Sequence, residues 1–95
     1  MKLRGIIWKL QFIEKMLHKH NVNTEEVEDI IYRKPHTLHI ETGRVRDEDV
    51  YEAFGQTAEG RYLVVFFINK SGSALPISAR DMTDSERRYY EKHKR

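Results

Sequence analysis

The residues of this sequence that could do chemistry are mainly basic and aromatic, and they concentrate near its two ends. An arginine side chain offers a planar fork of N–H donors that fits a phosphate group, and a tyrosine ring can stack on an unpaired RNA base. RNA supplies its own nucleophile, the 2′-hydroxyl group, so its cleavage needs a proton acceptor, a proton donor and a cation beside the phosphate. The residues that could bind or cleave RNA in this way are His18, Lys19, His20, Arg61, Arg80, Arg87, Arg88, Tyr89 and Tyr90. Taken singly, each arginine could instead form a surface ion pair.

The residue types and spacings of the sequence give little support for a metal site, a cofactor site or a covalent nucleophile. His18 and His20 lie about 200° apart around a helix, and His36 and His39 point to opposite faces of a strand, so neither pair can chelate one ion. The sequence has no cysteine, which removes thiolate zinc sites, disulfides and cysteine nucleophiles. No glycine-rich phosphate loop and no serine nucleophile motif occurs. The sequence therefore predicts no metal and no cofactor.

The net charge of +2 is small, but its distribution is uneven. Residues 1–20 contain five basic and one acidic side chain, residues 21–60 contain four basic and ten acidic, and residues 61–95 contain eight basic and four acidic. If the fold brings the two basic ends together, their potential would attract a polyanion such as RNA. The alternative is that these charges lie on solvated faces of short helices.

The first predicted helix spans Lys9 to Lys19. Its apolar residues recur at helical spacing, as expected of a helix that packs one face on a core. They are Leu10, Phe12, Ile13, Met16 and Leu17.

Two further helices begin with capping boxes. Asn23 followed by Glu26 starts the second helix, which Pro35 ends near residue 32 or 33. Thr83 followed by Glu86 starts the last helix in the same way. In both cases we expect the hydroxyl or amide side chain and the glutamate to satisfy each other's backbone N–H groups.

The residues between the second and third helices alternate with a period of two, which is typical of strands. Strands are predicted over residues 37–42, 50–55, 62–68 and 74–80, with a charged turn at 43–48 and a hairpin turn at 57–60. Residues 62–68 are apolar on both faces, which indicates a central strand covered above and below. Because Pro76 cannot donate a ladder hydrogen bond, its strand must lie at an edge or contain a bulge. Residues 3–8 are predicted as a short strand or an extended segment.

These elements predict one α+β domain over residues 1–95: two N-terminal helices, an antiparallel sheet of three or four strands and a C-terminal helix. No apolar run approaches the roughly 18 residues of a membrane span, and the first residues lack the apolar core of a signal peptide. We therefore expect a cytoplasmic protein that does not enter a membrane.

Three segments, in the same order, resemble motifs of the BrnT-like toxins. Residues 18–27, His-Lys-His-Asn-Val-Asn-Thr-Glu-Glu-Val, are similar to a basic segment followed by paired glutamates. Residues 55–63 resemble a hairpin of the form G-x-[S/T]-x-x-G-R-x-L. Residues 77–90 resemble a closing motif, I-[S/T]-A-R-x-[A/M]-T-x-x-E-R-x-x-Y, which is the most specific of the three.

The resemblance implies a RelE-like fold and the activity of an RNA endonuclease that a partner antitoxin silences. It implies an active face that includes Arg80, Arg61, Glu86, Arg87 and the neighbourhood of His20. Arg80 would stabilise the phosphate and Arg61 would position RNA, while His20 or Glu86 would transfer protons. The partners would be RNA and a cognate antitoxin, in a homo-oligomer or a toxin–antitoxin hetero-oligomer.

The sequence departs from the family pattern at Val50 and at Leu75 or Pro76, where better-known members often carry arginine. Both differences lower the positive charge of the expected site. They favour an alternative function, a catalytically silent RNA- or protein-binding module of the same fold. The nuclease interpretation further predicts that Arg61, Arg80 and Arg87 lie on one face of the folded protein.

Overall fold

A computed structural model describes residues 2–43 and 48–94, which form three helices and five strands. In chain order these are β1 (Gly5–Ile6), α1 (Leu10–His20), α2 (Thr24–Tyr32), β2 (His36–Glu41), β3 (Val50–Gln56), β4 (Tyr62–Lys70), β5 (Ser73–Asp81) and α3 (Asp84–His93). The predicted α+β class and the order of the elements are confirmed. Most of the charged turn predicted at 43–48 lies outside the described residues.

The five strands form one mixed sheet in the order β1-β5-β4-β3-β2. Strands β2 to β5 are antiparallel neighbours, whereas β1 runs parallel to β5. The four antiparallel strands agree with the predicted sheet of three or four, and β1 adds a fifth, parallel strand within the segment predicted as a short strand or an extended segment. Gly5 and Ile6 pair with Ser73 and Ala74, and a strand of only two residues is too short to show an alternating pattern in the sequence.

Strand β5 contains the bulge that its proline requires. Its register with β4 shifts between Phe66, which lies opposite Ser78, and Phe67, which lies opposite Pro76. The shift accommodates a residue with no N–H donor inside the sheet. The prediction of an edge position or a bulge for Pro76 is thus confirmed by the bulge.

The two faces of β4 meet different layers of the fold. Leu63, Val65 and Phe67 join the hydrophobic core formed with α1 and α2. The alternate residues, including Val64 and Phe66, point to the opposite face, because successive side chains of a strand alternate. Helix α3 lies on this opposite face, where its Tyr89 ring packs 5.5 Å from the Phe54 ring. We call this surface the α3 face.

Local sequence signals explain how the helices begin. Asn23 and Glu26 form a complete capping box at α2, and Thr83 and Glu86 form another at α3, as predicted.

The side of α1 that faces the core differs from the predicted apolar stripe: Met16 is buried, whereas Leu10 and Leu17 are exposed. No helix among residues 2–43 and 48–94 is long and apolar enough to cross a membrane.

Candidate functional site

Arg80 and Glu86 form the centre of a polar cluster on the α3 face. Arg80 Nη1 donates to Glu86 Oε1 at 2.7 Å and Nη2 donates to Oε2 at 2.9 Å, a bidentate ion pair. Nη1 also donates to the Asp81 carbonyl oxygen at 3.1 Å. These bonds use three of the five N–H donors of the guanidinium. The others, on Nε and Nη2, donate to no atom of the described residues, so Arg80 retains donors that a phosphate could accept.

The register of the sheet adds a second carboxylate to this cluster. Glu52 lies directly opposite Phe66 in the β3–β4 pair, and the Arg80 guanidinium carbon lies 5.5 Å from the centre of the Phe66 ring. Burial raises the pKa of Glu52, and the negative charge of Glu86 raises it further, while Arg80 opposes both effects. A carboxyl group whose pKa is raised is better suited to take up a proton than an ordinary surface glutamate.

The pKa of Glu86 changes in the opposite direction. The hydrogen bonds from Arg80 lower it most, burial opposes them, and the backbone N–H of Thr83 lowers it further. The ion pair correspondingly raises the pKa of Arg80. Glu86 is therefore held as an anion that orients Arg80, and of the two carboxylates Glu52 is the better proton acceptor.

His36, at the start of β2, forms an aromatic group with α3 on the same face, in the row of paired residues that runs through Phe54 and Val64 to Arg80. Its Nε2 atom lies 2.7 Å from the hydroxyl oxygen of Tyr89, and its ring centre lies 5.0 Å from that of His93. Burial lowers the pKa of His36, and the neighbouring His93 lowers it further. A neutral imidazole bonded to a phenol can pass a proton in either direction, which is the property needed in acid–base catalysis.

Two further predicted residues lie on the same face, on α3. The Arg87 guanidinium carbon lies 4.0 Å from the centre of the Tyr62 ring, and the Tyr90 ring packs edge-on to Tyr62 at 6.1 Å. The Tyr62 hydroxyl group donates to Glu91 at 2.8 Å. Arg88 is exposed on the same helix. Arg80 and Arg87 therefore share a face, as predicted.

Arg61 lies on the other side of the sheet, so the prediction that it shares a face with Arg80 is wrong. Asp81 and Arg80 are consecutive in β5 and point to opposite faces, and Arg61 pairs with Asp81. The Arg61 guanidinium also donates to the carbonyl oxygens of His20 at 3.0 Å and Asn21 at 2.7 Å, and to Glu26 at 3.0 Å.

All five N–H donors of Arg61 are consequently used within the protein. Nε and Nη2 bond Asp81, Nη2 also bonds the His20 carbonyl, and Nη1 bonds the Asn21 carbonyl and Glu26. These bonds raise the pKa of Arg61, that from Asp81 most strongly. The arrangement ties the start of β4 to the junction of α1 and α2, and it leaves no donor for a phosphate.

His20 and Lys19 end α1 and belong to the neighbourhood of Arg61 rather than that of Arg80. The His20 carbonyl accepts from Arg61, and its imidazole is near enough to Asp81 to contribute to the lowered pKa of that carboxyl, after the larger effect of Arg61. Lys19 is exposed beside it. The expected grouping of His20 with Arg80 and Glu86 is therefore wrong in geometry, because the sheet separates α1 from the α3 face.

Glu52 and His36 were not predicted as members of the site, whereas Tyr89 was predicted as an aromatic residue of the RNA-binding surface. One signal was available: Glu52 alternates with Phe54 on a half-buried strand, and a carboxylate among inward-facing apolar residues is unusual. No local signal brings His36 to Tyr89, since they are 53 residues apart and meet only after α3 folds back. Among the described residues, no group of three or more histidine or carboxylate side chains is arranged to hold a metal ion.

Comparison with known proteins assigns the chain to a family. A family model described as "Ribonuclease toxin, BrnT, of type II toxin-antitoxin system" matches residues 8–86, which include Arg61, Arg80 and Glu86. The chain belongs to the BrnT family. The predicted resemblance to the BrnT-like toxins is thereby confirmed.

A solved BrnT structure supports the same fold. The crystal structure of the Brucella abortus ribonuclease toxin BrnT aligns with a TM-score of 0.58 and 19% identity, covering 84% of this chain and 97% of that one. No curated protein sequence matches the chain. Membership in the BrnT family of ribonuclease toxins of type II systems implies an antitoxin as partner.

Proposed function

We propose that this protein is a cytoplasmic RNA endonuclease toxin that needs no metal ion and is inhibited by a cognate antitoxin. The observation that carries the proposal is the arrangement on the α3 face, where Arg80 keeps two N–H donors near Glu52 and shares the face with the His36–Tyr89 pair. A cation can stabilise the charge on the phosphate, and a carboxyl group of raised pKa and a neutral imidazole can make the two proton transfers that metal-independent RNA cleavage requires.

In this mechanism the 2′-oxygen of RNA attacks the adjacent phosphorus and displaces the 5′-oxygen of the next nucleotide, leaving a 2′,3′-cyclic phosphate. Arg80 binds the phosphate and stabilises the negative charge that develops on its oxygens. Glu52 and the His36–Tyr89 pair act on the two protons, one removing the proton of the 2′-hydroxyl group and the other supplying a proton to the 5′-oxygen. Glu86 holds Arg80 in position through the bidentate ion pair.

We assign proton transfer to Glu52 and His36 in place of His20. His20 is grouped with Arg61 and Asp81, across the sheet from Arg80. A proton acceptor must come within hydrogen-bond reach of the group it deprotonates, and a phosphate on Arg80 would be nearer to Glu52 and His36. Arg87, Arg88 and Tyr90, on α3, are proposed to contact RNA beyond the reacting phosphate.

RNA cleavage by the purified protein in EDTA tests this proposal. We expect Arg80→Ala to lower the cleavage rate by about 100-fold, which is the usual effect of removing one donor to a transition-state oxygen. Lys15→Ala, which removes one charge from α1 on the other side of the sheet, serves as the matched control and should cleave normally. Equal cleavage by the Arg80→Ala protein would exclude Arg80 from the mechanism.

The antitoxin part of the proposal has its own test. A protein that covers the α3 face should block cleavage at a molar ratio near one and protect Arg87 and Arg88 from chemical modification. Expression of this chain alone should arrest growth, and co-expression of the cognate antitoxin should restore it. Growth arrest that the antitoxin does not relieve would contradict inhibition by direct binding.

A second candidate function is a catalytically silent RNA- or protein-binding module. It is favoured by the ion pair of Arg80 with Glu86, because Glu86 accepts N–H donors of the guanidinium that catalysis would need for the phosphate. RNA affinity that falls steeply with salt, without cleavage of any RNA tested, would select this alternative.

A further inference from the structure

A shallow groove with a strongly cationic lining lies where α2, the start of β2 and the end of α3 meet. Its volume is about 600 Å³, and Lys2, Arg33, Lys34 and Lys94 line it. None of the described residues that line the groove is acidic. In a chain whose net charge is only +2, this is a marked local excess of positive charge.

Most of these cations have no carboxylate partner in the described part of the chain. Lys94 pairs with Glu91 at 2.8 Å, whereas Lys2, Arg33 and Lys34 form no ion pair with a described residue. All four side chains are exposed. The absence of a described carboxylate partner distinguishes the three unpaired cations from Arg61 and Arg80, each of which is paired with a carboxylate of the same chain.

Two tyrosine rings lie among these cations. Tyr32, the last residue of α2, is 57% exposed, although it follows the buried Ile30 and Ile31. Tyr90 is half-buried on α3, and it too lines the groove. Exposed rings interleaved with unpaired cations are typical of surfaces that bind single-stranded nucleic acid, because the bases stack while the cations bind the phosphates.

The groove is continuous with the cluster on the α3 face. His36 and His93 line the groove, and His36 also bonds Tyr89 beside the proposed reacting phosphate. An RNA strand that extends from the cluster past His36 would therefore enter the groove.

We infer that this groove binds the single-stranded RNA that flanks the cleavage point, with Arg33 and Lys34 on phosphates and Tyr32 under a base. The inference rests on the proposed nuclease function, but it can be tested without cleavage. An acidic protein segment is the competing occupant, and the exposed Tyr32 ring between cations favours RNA.

The experiment measures binding of a 12-nucleotide 2′-O-methyl RNA, which cannot be cleaved, by fluorescence anisotropy at several salt concentrations. Arg33→Gln combined with Lys34→Asn removes two charges, and asparagine suits the positive φ of 53° at Lys34. Each phosphate contact contributes a slope of about −0.7 to log K against log salt on single strands, or about fivefold in affinity at 0.1 M salt. We therefore expect the double variant to bind about 25-fold more weakly at that salt, with a slope about 1.4 units shallower.

The controls separate charge from stacking. Lys9→Gln combined with Lys15→Gln removes two charges near and within α1 and should leave affinity and slope unchanged. Tyr32→Leu should weaken binding at least fivefold with an unchanged slope, since stacking releases no counterions. Thermal melting of each variant verifies that it is folded.

Each outcome bears on one idea. If the groove variants bind RNA as the wild type does, with the same slope, the inference is wrong even if the protein cleaves RNA. If they lose affinity as expected while no RNA is cleaved, the groove stands and the nuclease proposal fails. If polyglutamate of equal charge binds as tightly as RNA and Tyr32→Leu has no effect, the groove binds an acidic protein segment instead.

Discussion

Arg61→Met should lower the stability of the protein far more than a surface substitution does. Methionine keeps much of the length and apolar contact of the arginine stem but removes every N–H donor. The side chain is 25% exposed, and it donates to the backbone carbonyls of His20 and Asn21 and to two carboxylates, those of Glu26 and Asp81. The substitution therefore leaves four acceptors without their donor at the point where α1, α2 and β4 meet.

The expected loss follows from the exposure of each partner. Asp81 is 64% exposed, so its ion pair contributes about 0.5 kcal/mol after solvent screening. Glu26 is 23% exposed and contributes more, about 1 kcal/mol. The carbonyl groups of His20 and Asn21 accept from a charged donor and regain only part of that energy from water, which adds about 1.5 kcal/mol. The total is about 3 kcal/mol, and for a domain of this size each 1 kcal/mol lowers the melting temperature by about 4–8 °C.

Urea denaturation of Arg61→Met and Arg88→Met measures this effect. Arg88 is exposed on α3, so its substitution by methionine should change the unfolding free energy by less than about 0.5 kcal/mol. A loss below about 0.5 kcal/mol for Arg61→Met as well would refute the structural role argued here. If RNA affinity fell at the same time, with a shallower salt slope, the original prediction that Arg61 positions RNA would be correct.

Three further substitutions test other parts of the fold. Asn23→Ala removes the cap of α2 and should cost about 1 kcal/mol in urea denaturation; an unchanged midpoint would show that the cap contributes nothing. Gly55→Ala should cost about 1–2 kcal/mol, because the new Cβ atom would lie 3.2 Å from Cδ1 and 3.3 Å from Cγ2 of Ile30, closer than ordinary contact. Because the folded state lowers the pKa of His36 below its value of 6.5 in the unfolded chain, the unfolded state binds more protons as pH falls, and stability falls below about pH 6.5. His36→Gln should therefore lose less stability than the wild type between about pH 7.5 and 5.5, and an equal loss would contradict the lowered pKa.

The helix boundaries and the central strand could be predicted because their signals are local. A capping box is complete within four residues, as at Asn23 and Glu26, and both boxes form as expected. The continuous apolar run of β4 identified the strand that lies in the middle of the sheet. Strand β1 was uncertain for the opposite reason, since its pairing with β5 involves residues that are about 70 positions away in the sequence.

The candidate site was predicted only in part, because side-chain pairing across the sheet has no local signal. Arg61 precedes β4 and Arg80 lies near the end of β5, each within a recognisable motif. Their positive charge alone does not distinguish the two residues. Their faces depend on register: Arg80 lies opposite Val64, on the α3 face, whereas Asp81, the partner of Arg61, lies opposite Leu63 in the core layer. Because Arg80 and Asp81 are consecutive in β5, Arg80 and the partner of Arg61 point to opposite faces, and the two arginines lie on opposite sides of the sheet.

The same motif, a capping box, positions both arginines, yet the two arginines differ in their capacity to bind a phosphate. Glu26 accepts from the backbone N–H of Asn23 and from Arg61, and Glu86 accepts from the backbone N–H of Thr83 and from Arg80. In each case the glutamate that starts a helix also fixes a guanidinium from the sheet. What distinguishes the two clusters is the rest of the surroundings. The carbonyls at the end of α1 take two further donors of Arg61, whereas Arg80 donates to a single carbonyl, that of Asp81, and keeps two N–H donors that no described residue accepts. The capacity to bind a phosphate is therefore set by the donors that the fold leaves unused, and charge in the sequence is a poor guide to it.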